Sequence, residues 1–171
     1  HNVLFINNRG WQLKETTHLP LLEQEAFDTA IVDGCTEGDV SWATGMQTRF
    51  VGICQKRTLR YDKIKNIVYV EDSIDLKEAA SIRLIYHIAE DIEIKEKSDG
   101  WFLMRDDNAI AYVSVFGTSH IERGVYLDDG EGPWKTWIFN GKIDEKKGSL
   151  LYIDTIGNEG KNEINLQIKL Y

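Results

Sequence analysis

Ile164, Leu166, Ile168 and Leu170 alternate without interruption with Glu163, Asn165, Gln167 and Lys169. Successive side chains of a β-strand point to opposite faces, so this stretch carries one apolar face and one wet face. Wound into a helix, the same residues scatter around the whole circumference. The apolar face has to be covered by a second layer, which directs the chain to a sandwich or a barrel.

The same grammar recurs upstream as short β-branched and aromatic runs broken by turn residues. Val3 to Ile6 stops at Asn7-Asn8-Arg9-Gly10, and Ala26 to Val32 stops at Asp33-Gly34. Thr48 to Cys54 and Asn66 to Val70 flank a connection that contains Tyr61-Asp62-Lys63. Ile82, Leu84, Tyr86 and Ile88 alternate with Ser81, Arg83 and His87, the pattern of a half-buried strand. Ile92 to Lys95 stops at Ser98-Asp99-Gly100. Trp101 to Met104 and Ala109 to Phe116 are joined by Arg105-Asp106-Asp107-Asn108, a hairpin loop. Thr136 to Phe139 and Leu150 to Ile156 complete about ten strands at sandwich spacing.

Helical signal is poor. Leu19 to Ala26 fits a short helix, and Asp75 to Ala80 fits a single turn or a loop. Without helices to cover a parallel sheet, the expected fold is all-β: an antiparallel β-sandwich of about ten or more strands. No repeat or low-complexity stretch interrupts the chain. Gly124 to Trp134 is the nearest thing to a linker and is too short to divide domains. The reading is one domain over residues 1–171.

Charge narrows the partners. Twenty Lys and Arg against 28 Asp and Glu leave a formal net charge of −8. Nucleic acid binding needs clustered cations, so that class of partner is excluded. No apolar run approaches the roughly 20 residues that span a bilayer. Two readings stand for Cys35 and Cys54: a disulfide in an oxidising compartment, or two buried free thiols. Base rates for small apolar cysteines favour the thiols.

Catalytic motifs are missing. No nucleophile elbow, P-loop or dinucleotide fingerprint occurs. His1, His18, His87 and His120 show no local metal spacing, and each reads more readily as structural or solvated. His87 is a weak candidate for facing a sugar, against the blander reading of a hydrogen-bonded sheet histidine. Asp128-Asp129-Gly130-Glu131-Gly132 places three carboxylates beside two glycines but lacks the EF-hand alternation, so an acidic surface turn is favoured over a calcium loop. Of the five tryptophans, Trp134, beside Pro133, is the best candidate for an exposed sugar-stacking ring. Trp137 reads as core.

Three segments in order carry a resemblance. His1-Asn2-Val3-Leu4-Phe5-Ile6-Asn7-Asn8-Arg9-Gly10 resembles the H-N-T-hydrophobic stretch of the C-terminal β domain of heparinase II/III-like lyases, with Val3 for Thr and Asn7-Asn8 for Asp-Gly. Gln47 to Phe50 and Ile67 to Ile74 resemble that domain's Arg-led strand and the following φ-φ-V-x-D-x-φ strand. Ile82-Arg83-Leu84-Ile85-Tyr86-His87-Ile88-Ala89 is similar to its R-φ-x-F-H-φ-A-P strand. Order and spacing agree to about Gly117, and beyond it the similarity is general β character.

The resemblance implies a supersandwich-like domain behind an (α/α) toroid of helices. It also implies β-elimination of a uronic-acid polysaccharide, a glycosaminoglycan among the options, by the larger enzyme. Most catalytic groups of such an enzyme come from the toroid and the early sandwich, so no catalytic residue is assigned in this chain, which is expected to be inactive alone. A structural zinc in the parent is implied, with His1 as a ligand only if further ligands lie upstream. One histidine cannot supply the four ligands that a structural zinc takes, so no cofactor is expected in this fragment. The partners implied are the polysaccharide and the toroid, and the location is periplasmic or surface-attached. The acidic balance favours a uronate polymer less charged than heparin. The competing readings are a stand-alone carbohydrate-binding module and a cell-surface adhesion sandwich.

Overall fold

A computed structural model describes residues 3–7, 29–48, 50, 52–89, 91–117, 120–127, 137–139, 145–147 and 149–171. Fourteen strands lie within them: β1 (Val3–Ile6), β2 (Thr29–Glu37), β3 (Val40–Gln47), β4 (Ile53–Asp62), β5 (Ile67–Leu76), β6 (Ala80–Ile88) and β7 (Glu93–Lys97). The set continues with β8 (Gly100–Arg105), β9 (Asn108–Gly117), β10 (Ile121–Leu127), β11 (Trp137–Phe139), β12 (Glu145–Lys147), β13 (Ser149–Gly157) and β14 (Gly160–Leu170). No helix occurs among the described residues.

An eight-stranded antiparallel sheet in the order β2-β3-β4-β5-β14-β9-β8-β7 faces a four-stranded sheet in the order β1-β6-β13-β10, and β11 pairs with β12 separately. The expected antiparallel sandwich is what forms. Between the two large sheets lies the core, with Ile74, Leu76, Trp101, Val113, Ile164 and Leu166 from one side. Leu4, Ile82, Leu84, Leu151 and Ile153 come from the other. The alternating strand that opened the sequence reading is β14, inserted between β5 and β9. Its apolar phase, Ile164 and Leu166, is buried against the four-stranded sheet.

Two of the connections that carry the chain from one sheet to the other show how it changes layer. Between β5 and β6, the span from Asp75 to Ala80 is the end of one strand, two bends and the start of the next, not a helical turn. Between β13 and β14, buried Asn162 ties the corner. Its Nδ2 donates to the carbonyls of Asn158 (2.8 Å) and Gly160 (2.9 Å), and its Oδ1 accepts from the Asn158 N–H (2.9 Å).

Other expectations shift in detail. The β8–β9 hairpin turns on Asp106 and Asp107 alone, at φ 47° and 63°. Positive φ at both central residues is the type I′ geometry that suits strand twist. Asp33-Gly34 does not end β2. The register slips between Ile31 and Asp33, and the strand runs on to Glu37. The reversal comes at Gly38, at φ 53°. Thr48 and Phe50 belong to no strand, and the polar run Gln55 to Asp62 is strand β4 rather than a connection. Gly124 to Leu127 is strand too, part of β10. Leu19 to Ala26 and the acidic stretch 128–132 lie outside the described residues.

Candidate functional site

Strand β4 reads Ile-Cys-Gln-Lys-Arg-Thr-Leu-Arg-Tyr-Asp, and its inward phase is Ile53, Gln55, Arg57 and Leu59. Two polar side chains therefore enter a layer that is otherwise apolar. Across the ladder, β5 sets Asp72 opposite Arg57. The Asp72 side chain is 0% exposed and that of Arg57 22%. A buried charge is tolerated only when paired and hydrogen-bonded, and here both conditions are met. Arg57 Nε donates to Asp72 Oδ1 (2.9 Å), and Arg57 Nη2 donates to Oδ2 (2.9 Å), the two-pronged arrangement that suits a guanidinium. Gln55 Nε2 donates to Oδ1 (2.6 Å), and Gln55 Oε1 in turn accepts from Gln47 Nε2 on β3.

The facing sheet completes the group. Tyr86 on β6 donates its hydroxyl to Asp72 Oδ2 (3.3 Å) and accepts from Arg57 Nη2 (3.2 Å). Arg57 Cζ also lies 5.3 Å from the centre of the Tyr86 ring. Burial, and then the neighbouring Asp72 carboxylate, push the Tyr86 hydroxyl far above its ordinary value. Burial alone would lower Arg57, but the Asp72 carboxylate and the Tyr86 hydroxyl, through charge and hydrogen bonds together, outweigh it and the guanidinium is held above its usual value. Tyr86 thus keeps its proton and cannot act as a base, while Asp72 is closed to solvent. The arrangement clamps the two sheets together.

This network was readable only in part. Asp72 and Tyr86 both stood in segments that carry the family resemblance, with Tyr86 counted as an apolar residue. Arg57 and Gln55 fell in a stretch read as connection. The available signal was one of phase: an arginine in step with Ile53 and Leu59, and an aspartate in step with Val70 and Ile74 on the next strand.

The other candidates are dispersed. His87 lies on the outer face of β6, opposite Leu150 of β13, on the face away from Ile82, Leu84 and Tyr86. It is half-buried, and that burial lowers its pKa. His1 and Trp134 lie outside the described residues. Trp101 is wholly buried in the core, the role expected of a large aromatic in a sandwich. Cys35 and Cys54 are free thiols, half-buried rather than buried. Cys35 sits across β3 from Arg60, six positions along β4 from Cys54, roughly 20 Å at strand rise. Among the described residues, no three His, Cys, Asp or Glu side chains converge to hold a metal ion. No helix long and apolar enough to cross a membrane occurs among the described residues.

Comparison with known proteins gives this architecture relatives. The family model described as heparinase II/III-like, C-terminal, matches residues 1–165. A search of curated proteins finds no match. Among solved structures, the fold is similar to a heparinase III, the BT4657 gene product, at 12% identity and a TM-score of 0.74, over 100% of this chain and 24% of that one. It is similar to the heparan sulfate lyase HepC of Pedobacter heparinus at 10% identity and a TM-score of 0.75, over 100% and 24% of the two chains. A further heparinase III gives 12% identity and a TM-score of 0.69, over 99% and 23%. The chain thus spans about a quarter of the length of these structures. With the sandwich shared in full and the family model covering all but its last six residues, the chain belongs to the heparinase II/III-like C-terminal family.

Proposed function

We infer that this chain is the C-terminal β-sandwich of a polysaccharide lyase, where it supports and closes a substrate cleft built largely by a helical toroid, and that it is inactive alone. The carrying observation is the family match over residues 1–165 in a chain about a quarter as long as the solved relatives. Elimination requires a base to take the proton alpha to the uronate carboxylate and an acid to protonate the departing oxygen. Donors must also stabilise the enolate-like intermediate between them. The Arg57–Asp72–Tyr86 group has the right side-chain types, but its charges answer one another and its tyrosine is held protonated.

The docking face for the toroid is the part of the eight-stranded sheet that runs past the core. On it Ile31 of β2 is 82% exposed and Leu59 of β4 49%. Gly34, Ala43 and Gly45 lie between them in register, making a shallow apolar surface. The substrate is a uronate polymer less charged than heparin, in keeping with the net charge of −8. The location is periplasmic or surface-attached, which fractionation of the producing cell checks.

A structural zinc in the parent would take His1 as one ligand only where further ligands lie upstream of it. Among the described residues no set of ligands converges, in keeping with a tetrahedral site that draws its other ligands from the rest of the parent. Micromolar zinc affinity of the isolated chain by calorimetry would overturn that reading. The function itself is tested by following the ultraviolet absorbance of the unsaturated uronate product on lightly sulfated and unsulfated uronate polymers. The full-length protein should produce it and this chain should not. Product formation by the chain alone, or its absence with the full-length protein on every uronate polymer, would sink the proposal.

A further inference from the structure

A cleft of about 280 Å³ opens on the outer side of the four-stranded sheet, lined by Arg83, His120, Glu122, Asp154, Thr155 and Ile156. It lies on the opposite face of β6 from the buried clamp. We propose that it binds a single uncharged, hydroxyl-rich sugar residue and turns away sugars that carry a carboxylate or sulfate.

Size sets the first limit. Drug-sized ligands occupy pockets of roughly 300 Å³ and more, so this volume suits one sugar ring and not an oligosaccharide. The lining has the two characters a sugar needs. Ile156 is 65% exposed and offers an apolar wall to the C–H side of a ring. Around it stand carboxylates that accept from hydroxyls, a guanidinium that donates, and an imidazole that does either.

The site is built before any ligand arrives. Arg83 Nε donates to Asp154 Oδ1 (2.5 Å), and Arg83 Nη2 donates to Oδ2. The guanidinium also lies 5.3 Å from the centre of the Tyr152 ring. Tyr152 in turn lies across β10 at Gly124, where an added Cβ would come within 2.7 Å of its Cζ. On the other flank, the Thr155 hydroxyl donates to the His120 carbonyl (2.7 Å) and fixes the chain leading into β10. Groups held this way lose little freedom on binding.

Charge decides which sugar enters. Asp154 already answers Arg83, so Glu122, directly across the ladder from Asp154, leaves the cleft one negative charge in excess. A ligand carboxylate or sulfate meets that charge in a partly enclosed space, where repulsion exceeds its value in water. In a polymer of alternating residues the cleft would therefore read the neutral residue, not the uronate. The binding does not rest on the lyase reading, since sugar occupancy and elimination are measured separately.

The test uses the chain itself, labelled with nitrogen-15, titrated with glucose and with glucuronate, which differs from glucose by one carboxylate. Glucose should shift the amide signals of residues 81–83, 120–122 and 154–156 with a Kd in the millimolar range, and glucuronate should bind at least about tenfold more weakly. Glu122 and Ile156 are exposed, so their variants should keep the wild-type melting temperature. Glu122→Gln should close the gap between the two sugars, and Ile156→Ser should weaken glucose binding about tenfold. Absence of glucose-dependent shifts at these residues up to saturating sugar would overturn the proposal. Equal binding of both sugars by the wild type would overturn its charge selection.

Discussion

Strand β6 contributes one member to each of two Arg–Asp–Tyr groups, on its opposite faces. The inner one joins Arg57, Asp72 and Tyr86, and the outer one joins Arg83, Asp154 and Tyr152. Each pairs its arginine, through Nε and Nη2, with a cross-strand aspartate, and each sets the guanidinium 5.3 Å from a tyrosine ring. What differs is water. The inner aspartate side chain is fully buried, while the outer pair is 26% and 23% exposed. The same parts therefore do two jobs. Inside, Asp72 has no access to water and depends wholly on its partners, of which Arg57 is 22% exposed. Outside, solvent can replace either partner, which leaves the group free to meet a ligand.

The comparison breaks most easily at Asp72. Asp72→Ala leaves the Arg57 guanidinium, 22% exposed, without its carboxylate, and a loss of about 3 kcal/mol is expected from urea unfolding at neutral pH. Pairing Arg57→Met with Asp72→Leu removes both charges and should recover most of that loss, because the desolvation cost disappears with the attraction. A single-variant loss of under about 1 kcal/mol would mean that water reaches Arg57 and that the inner group is not a clamp.

How much of this was visible in the sequence follows from the same contrast. Strands whose alternation is purely apolar, β6, β13 and β14, were legible because burial alone dictates their phase. Strand β4 was not. Its inward positions include Gln55 and Arg57, so its hydrophobic period is broken by the network that anchors it. Local pattern records one strand at a time, whereas Arg57 makes sense only beside Asp72, 15 positions away, and Tyr86 on the other sheet. The outer group hid for a similar reason. Arg83 and Asp154 are ordinary polar positions on wet strand faces until register places them side by side, 71 positions apart in sequence. The resemblance reached the family because it needed only the order of three segments, and gave no view of how those segments face one another.

A smaller effect is expected at the outer pair. Asp154→Ala should cost no more than about 1 kcal/mol, because both members of the outer pair, the aspartate included, already meet water that weakens their attraction. The loss should shrink further in high salt, which screens exposed pairs far more than buried ones. If Asp154→Ala proved as costly as Asp72→Ala, exposure would not be what separates the two groups.

The smallest effect is a slope. His87 sits on the outer face, next along β6 to the inner group's Tyr86, with Leu150 across the ladder, and burial lowers its pKa below the ordinary 6.5. The unfolded chain therefore binds this proton more readily than the folded one. Where that holds, stability rises with pH. The contribution is fully present above about pH 6.5 and is lost as pH falls below that value, until the folded-state pKa is reached and the decline stops. Half-burial keeps the slope modest. His87→Gln should flatten the dependence of the urea midpoint on pH between about 7 and 5 while leaving its value at neutral pH nearly unchanged. An unaltered slope in the variant would show that the half-buried outer face presents water to the imidazole as freely as the unfolded chain does, and would narrow the difference between the faces to the charged groups alone.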